Sequence, residues 1–230
     1  MTKGWTVVGA IVLVGCARDT ETLDRFSHAY TDFIEHVHTT EISAGTVASD
    51  VDPFGFYAEI AAAVNVNSSN ESRLGHAATA IGLGNSPMAK AMDGYGDEIE
   101  ELDGAVLKLV KTANAIHNAE YRASAVATAK YAREVQYAFV VMHALSEKRL
   151  DLQRKVMNDI LNDGGALKVT ATFRECGTEA KKIFDELEST GKKQNESFQK
   201  MKDTFSALEG RANLVSYPTK EEIKEKSGKK

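Results

Sequence analysis

An all-α fold is what this sequence predicts, and three observations predict it. Apolar residues recur at alternating spacings of three and four along two stretches, Ile99, Leu102, Val106, Leu109, Ala113, Ile116 and Tyr131, Val135, Ala138, Met142, Leu145, Leu152, Val156. A third stripe, Ala180, Phe184, Leu187, Phe198, Met201, Phe205, Leu208, keeps that spacing when Gly191 and Gln194 are taken as weak members. Stripes this narrow are coiled-coil seams, because heptad spacing keeps one thin edge of a helix turned toward a neighbour. Second, the chain holds only three prolines and 7% aromatic residues, which suits helices. Third, after Pro87 no strong helix breaker occurs before Asn162-Asp163-Gly164-Gly165.

Taken in order, the elements begin with an apolar run, Thr6 to Gly15, that follows Lys3 and ends at Cys16. Ten residues fall short of the roughly 20 a bilayer-spanning helix needs, but match the apolar region of a signal peptide. Phe26, Tyr30, Phe33 and Val37 then mark an amphipathic helix over 20–42, capped by Asp19 or Thr20. Gly45 and Asp52-Pro53-Phe54-Gly55 are expected to interrupt it. Ile60, Val64, Leu74, Ala78 and Ile81 form a looser helical run, with Asn67 and Glu71 at two of its seam positions. Leu83-Gly84-Asn85-Ser86 reads as a turn, with Ser86 as cap and Pro87 in the first turn of the next helix.

That next helix is expected to run unbroken over 87–161, about 110 Å at 1.5 Å per residue. Gly94, Gly96 and Gly104 soften its first third. The fifteen residues from Ile116 to Tyr131 let the seam drift round the helix across an Ala/Thr-rich stretch, where small side chains allow close backbone approach. Beyond the glycines, Leu167, Val169, Ala171 and Phe173 alternate with polar residues in a strand-like way. No partner strand is evident, so helix is favoured from about 167 to 211. The organisation expected is an apolar N-terminal segment (1–18: signal, lipid anchor or remnant), a helical domain (19–212) and a charged flexible tail (213–230).

The net charge of −5 conceals an asymmetry. Residues 18–105 hold four basic and sixteen acidic residues, whereas 106–230 hold twenty-three basic and seventeen acidic. The second half can therefore present a basic surface although the chain is acidic overall. Two cysteines, Cys16 and Cys176, cannot build a disulfide framework, so packing must supply stability.

Chemistry-bearing motifs do not converge. Glu35-His36-Val37-His38 has the Glu-x-x-His spacing of a di-iron bundle but lacks the second copy such a centre needs. Gly82-x-Gly84 has no following Lys-Ser/Thr, and Thr190-Gly191-Lys192-Lys193 has no upstream glycine to make a phosphate loop. Cys176 has Arg174 close by but no histidine, and reads as a structural thiol. No catalytic residue, no metal site and no cofactor is expected.

The layout of a helix, the polar turn Leu83-Gly84-Asn85-Ser86, a long helix over 87–161, a tip at Asn162 to Gly165 and a returning helix over 167–211 resembles a BAR domain, and most closely the sorting-nexin type. The resemblance covers about 55–212 and rests on layout and spacing alone. It implies an elongated antiparallel three-helix coiled coil, here with a short N-terminal helical extension. It also implies a homo- or heterodimer whose seam is Ile99, Leu102, Val106, Leu109, Ile116, Tyr131, Val135, Met142 and Leu145. The function implied is that of a non-enzymatic scaffold on anionic, curved membrane, cytoplasmic and peripheral to endosomes, with nucleic acid not among its partners. The cations expected to meet lipid flank the tip: Lys148, Arg149, Arg154, Lys155, Lys168, Arg174, Lys181 and Lys182. Two features depart from the sorting-nexin pattern. No phosphoinositide-binding module precedes the helices, and the acidic first half would have to face away from lipid.

The alternative is a bacterial envelope lipoprotein with a helical adaptor body. Leu13-Val14-Gly15-Cys16 resembles a lipobox, in which Cys16 becomes the lipidated residue.

Overall fold

The computed structural model describes the backbone of residues 5–50, 87–162, 165–212 and 214. Its side chains are described over 19–48, 90–156 and 174–212, with Asn158, Asp159, Asn162, Ala171, Thr172 and Leu214 besides. Among the described residues there are four helices and no strand. They are α1 (Trp5–Asp50), α2 (Pro87–Ala115), α3 (Ala119–Leu161) and α4 (Gly165–Ala212). The all-α class is thus observed, as are the start at Pro87 and the break after Leu161. The strand-like alternation at 167–173 lies within α4. The helical run over 60–81, the turn at 83–86 and the charged tail lie outside the described residues.

Three expectations about boundaries are corrected. The first helix begins at Trp5 and runs through Asp19 and Thr20, so neither caps it. Gly45 does not end the first helix, which continues to Asp50; one glycine costs a helix only about 1 kcal/mol. More consequentially, 87–161 is not one helix. Ile116, His117 and Asn118 leave the helical conformation, and the chain reverses there. The side chain of Asn118 caps α3 by accepting from the backbone N–H groups of Glu120 (3.0 Å) and Tyr121 (3.1 Å). From α1, one carboxylate oxygen of Asp19 accepts from the N–H groups of His117 (3.1 Å) and Asn118 (3.2 Å). Those donors belong to the non-helical link, so a residue far away in sequence supplies what the local backbone lacks.

The chain divides into two compact units, to each of which all four helices contribute: Met1–Thr39, Glu100–Tyr137 and Gln194–Lys230 in the first, and Thr40–Ile99 with Ala138–Lys193 in the second.

In the first unit, α1 runs antiparallel to α2, with Lys108 Nζ 2.9 Å from Asp32 Oδ2. α3 runs antiparallel to α4, where Thr128 donates to Thr204 (3.0 Å), Ser197 donates to Glu134 (2.7 Å) and Arg211 meets Glu120 (3.1 Å). α4 returns to α1 through Tyr30 and Phe205, whose rings stack with centroids 3.6 Å apart. The core sets large rings (Phe26, Tyr30, Phe33, Phe205) together with the small side chains Ala125, Ala129 and Ala132, all buried. Large residues opposite small ones fill the space between helices at close approach.

In the second unit, Thr40 of α1 donates to the Glu98 carbonyl of α2 (3.4 Å). Tyr95 of α2 donates to the Phe139 carbonyl of α3 (3.1 Å), and His143 Nε2 lies 3.3 Å from the Met92 carbonyl. The α3–α4 pair continues through Lys155–Glu175 (2.8 Å) and a hydrogen bond from Thr172 to Asp159. Each unit is therefore a set of antiparallel helical segments closed on a core of its own.

The expected seam residues divide between the two units. Leu102, Val106, Leu109, Ile116, Val135 and Leu145 are buried by the chain's own helices, while Ile99, Tyr131 and Met142 are half-buried. Most of their apolar surface is thus covered by helices of the same chain. The third stripe is displaced by one residue in its first part. Ile183 is buried and Phe184 exposed, because Cys176, Ile183 and Ser197 hold the inward positions of α4.

Candidate functional site

Antiparallel pairing of α3 and α4 in the second unit places the expected lipid-facing cations on neighbouring helices. Lys148, Arg149, Arg154 and Lys155 stand on α3 before the 162–164 connection, and Arg174, Lys181 and Lys182 on α4 after it. Lys168 lies on α4 outside the described side chains. Lys148, Arg174 and Lys181 are exposed, whereas Arg149 is half-buried.

Lys155, Lys182 and Arg154 are engaged with carboxylates. Lys155 bonds Glu175 across the helix pair, and that hydrogen bond raises its pKa. Lys182 pairs with Glu179 along its own helix at 3.0 Å. Arg154 pairs with Asp151 at 3.1 Å and sits half-buried in an acidic surround. Together with Met92, Asp93, Glu147, Leu150 and Asp151 it lines an open groove of about 340 Å³ between α2 and α3. The cations therefore form no single uninterrupted face. Lys148, Arg174 and Lys181 present exposed charge, and Arg154 is drawn aside into the groove.

Periodicity could not find that groove, because it needs α2 and α3 to fold back on each other. Asp93 and Glu147 are 54 residues apart in sequence yet line one concavity. His143 borders it, with Nδ1 3.9 Å from Glu147 and its ring edge-on to Tyr95 at 5.1 Å.

The Glu35–His38 segment sits on α1 in the first unit. His36 lies between Asp32 (4.0 Å) and Glu101 of α2 (3.6 Å), and Asp32 also holds Lys108. This is a charged edge joining two helices, with Val37 buried beneath it. Cys176 is buried, and burial pushes its thiol pKa up while Lys155 nearby pulls it back. That places it among inert structural thiols.

No helix among the described residues is long and apolar enough to cross a membrane. Comparison with protein-family models, curated proteins and solved structures finds no match to this chain.

Proposed function

We propose that the protein is a non-enzymatic helical scaffold that associates peripherally with anionic membrane through the α3–α4 pair of its second unit. The observation that carries this reading is that α3 and α4, joined by the Lys155–Glu175 bridge, both carry exposed cations in the second unit, Lys148 and Lys155 on one and Arg174, Lys181 and Lys182 on the other. Each cation near an anionic surface is worth about 1 kcal/mol. The pairs that occupy Lys155 and Lys182 are exposed and screened by water, so lipid phosphate can replace their carboxylates at little cost. Binding of this kind is modest and salt-sensitive. The curved dimer of a BAR domain is not part of the proposal, since it needs 87–161 as one rod and seam residues free to meet a second chain.

Co-sedimentation with phosphatidylserine-containing vesicles tests it. Reversing the exposed Lys148, Arg174 and Lys181 to glutamate should weaken binding roughly 100-fold or more, with circular dichroism unchanged. Equal binding by the variant, or no binding by the natural chain even at low salt, would remove the reading.

A second reading rests on the lipobox-like Leu13-Val14-Gly15-Cys16: a lipoprotein anchored through Cys16 with the helical bundle as an adaptor body. Incorporation of labelled fatty acid, abolished by Cys16→Ser, would favour it; incorporation that survives the change, or none at all, would exclude it.

A further inference from the structure

Within the first unit, α3 carries a second heptad-spaced stripe on its outer side. Ala123, Val126, Lys130, Arg133 and Tyr137 recur at three and four, and all are exposed, Val126 at 41% and Tyr137 at 66%. The inward stripe of the same helix, Ala125, Ala129, Ala132 and Val135, is buried. On α4 of the same unit the outer positions with this spacing are Glu196, Gln199, Asp203, Ser206 and Gly210, which present no large apolar side chain. On α2 of the unit, Leu107 is also exposed at 54%. A solvated helix face ordinarily carries charge at such positions; valine and tyrosine at heptad spacing make a seam with no neighbour among the described residues.

The charges on the stripe restrict what that neighbour is. Lys130 and Arg133 occupy its centre, and no acidic residue lies on it. Glu134, beside it, is turned to α4 through its bond with Ser197. A second copy laid face to face would set Lys130 and Arg133 against the same pair, and like charges brought together at an interface are costly. From this pattern we infer that the outer face of α3 over 123–137 docks an amphipathic partner helix, apolar at both ends of its seam and acidic at its centre. Helix-on-helix recognition supplies the fit: Val126 and Tyr137 meet apolar anchors, and the two cations between them select carboxylates and set register.

The test uses the full chain and two synthetic helical peptides of three heptads. Both carry leucine at the outer seam positions; one has glutamate at the two central seam positions and the other lysine. Fluorescence anisotropy should show the glutamate peptide binding at least about tenfold more tightly than the lysine peptide. Lys130→Glu with Arg133→Glu should invert that preference. Val126→Ser with Tyr137→Ser should weaken the glutamate peptide about tenfold while leaving the thermal midpoint unchanged, because both residues are exposed. Equal binding of the two peptides, or binding of neither, overturns the inference. So does a dimer of the chain alone that Tyr137→Ser dissociates, since the occupant would then be a second copy.

Discussion

Leu107 and Leu109 are two residues apart on α2 and chemically identical, yet their surroundings differ completely. Leu109 is 0% exposed and Leu107 is 54% exposed. Replacing a fully buried leucine by alanine removes its transfer free energy and leaves a cavity, for a cost of about 3–4 kcal/mol. In a chain of this length each kcal/mol shifts the melting midpoint by about 2–4 °C, so Leu109→Ala should lower it by about 6–16 °C. Leu107→Ala should change stability by less than about 0.5 kcal/mol. Thermal unfolding followed by circular dichroism over a tenfold range of protein concentration measures both. The Leu109→Ala loss should be independent of concentration, because the groups covering Leu109 belong to the same molecule; a seam between two chains would make it concentration-dependent. Similar losses for the two substitutions, or a Leu109→Ala loss that varies with dilution, would refute an intramolecular core.

Three further outcomes follow from particular contacts. Asp19→Ala strips the acceptor from the His117 and Asn118 N–H groups and should cost about 1–2 kcal/mol in chemical denaturation, whereas Asp19→Asn should restore part of it. Burial raises the phenol pKa of Tyr30, with a smaller contribution from Glu209, and burial alone raises that of Tyr95; both start from an ordinary value of 10.0. Above that pH the unfolded chain loses protons that the folded chain keeps, so stability should fall by up to about 1.4 kcal/mol per pH unit for each phenol. Urea titrations at rising alkaline pH should show the slope, and Tyr30→Phe with Tyr95→Phe should flatten it. Cys176, buried and with a raised pKa, should react with a thiol reagent in a Cys16→Ser background only at the rate of unfolding, and at once in denaturant.

Much of the fold was legible because periodicity reports burial directly. The stripe from Leu102 to Ile116 is inward-facing as its spacing requires, α4 spans the returning helix, α2 begins at Pro87 and α3 ends at Leu161. What periodicity does not report is who covers a seam. The same spacing serves a helix of the same chain or of another, and here most of the stripe is covered by the chain's own helices. The reversal at 116–118 was missed for a related reason. Ile116-His117-Asn118 holds neither glycine nor proline, and its strongest support, Asp19, lies 98 residues away from His117. The fifteen-residue slip between Ile116 and Tyr131 was the available signal; it marks a turn and not a gradual drift of the seam. At the basic site, charge spacing identified the residues but not their company. Arg154 faces Asp151 within a groove that exists only after α2 and α3 have folded together.

The distance between Asp93 and Glu147 tests that folding back most directly. Nitroxide labels at Asp93→Cys and Glu147→Cys, in a background with Cys16→Ser and Cys176→Ser and diluted with unlabelled protein, report it within single molecules. Side chains on two packed helices lining one groove should give strong dipolar coupling, with labels about 20 Å apart or closer. A separation near 80 Å, the length of 54 residues in one continuous helix, would contradict the reversal and return 87–161 to a single rod.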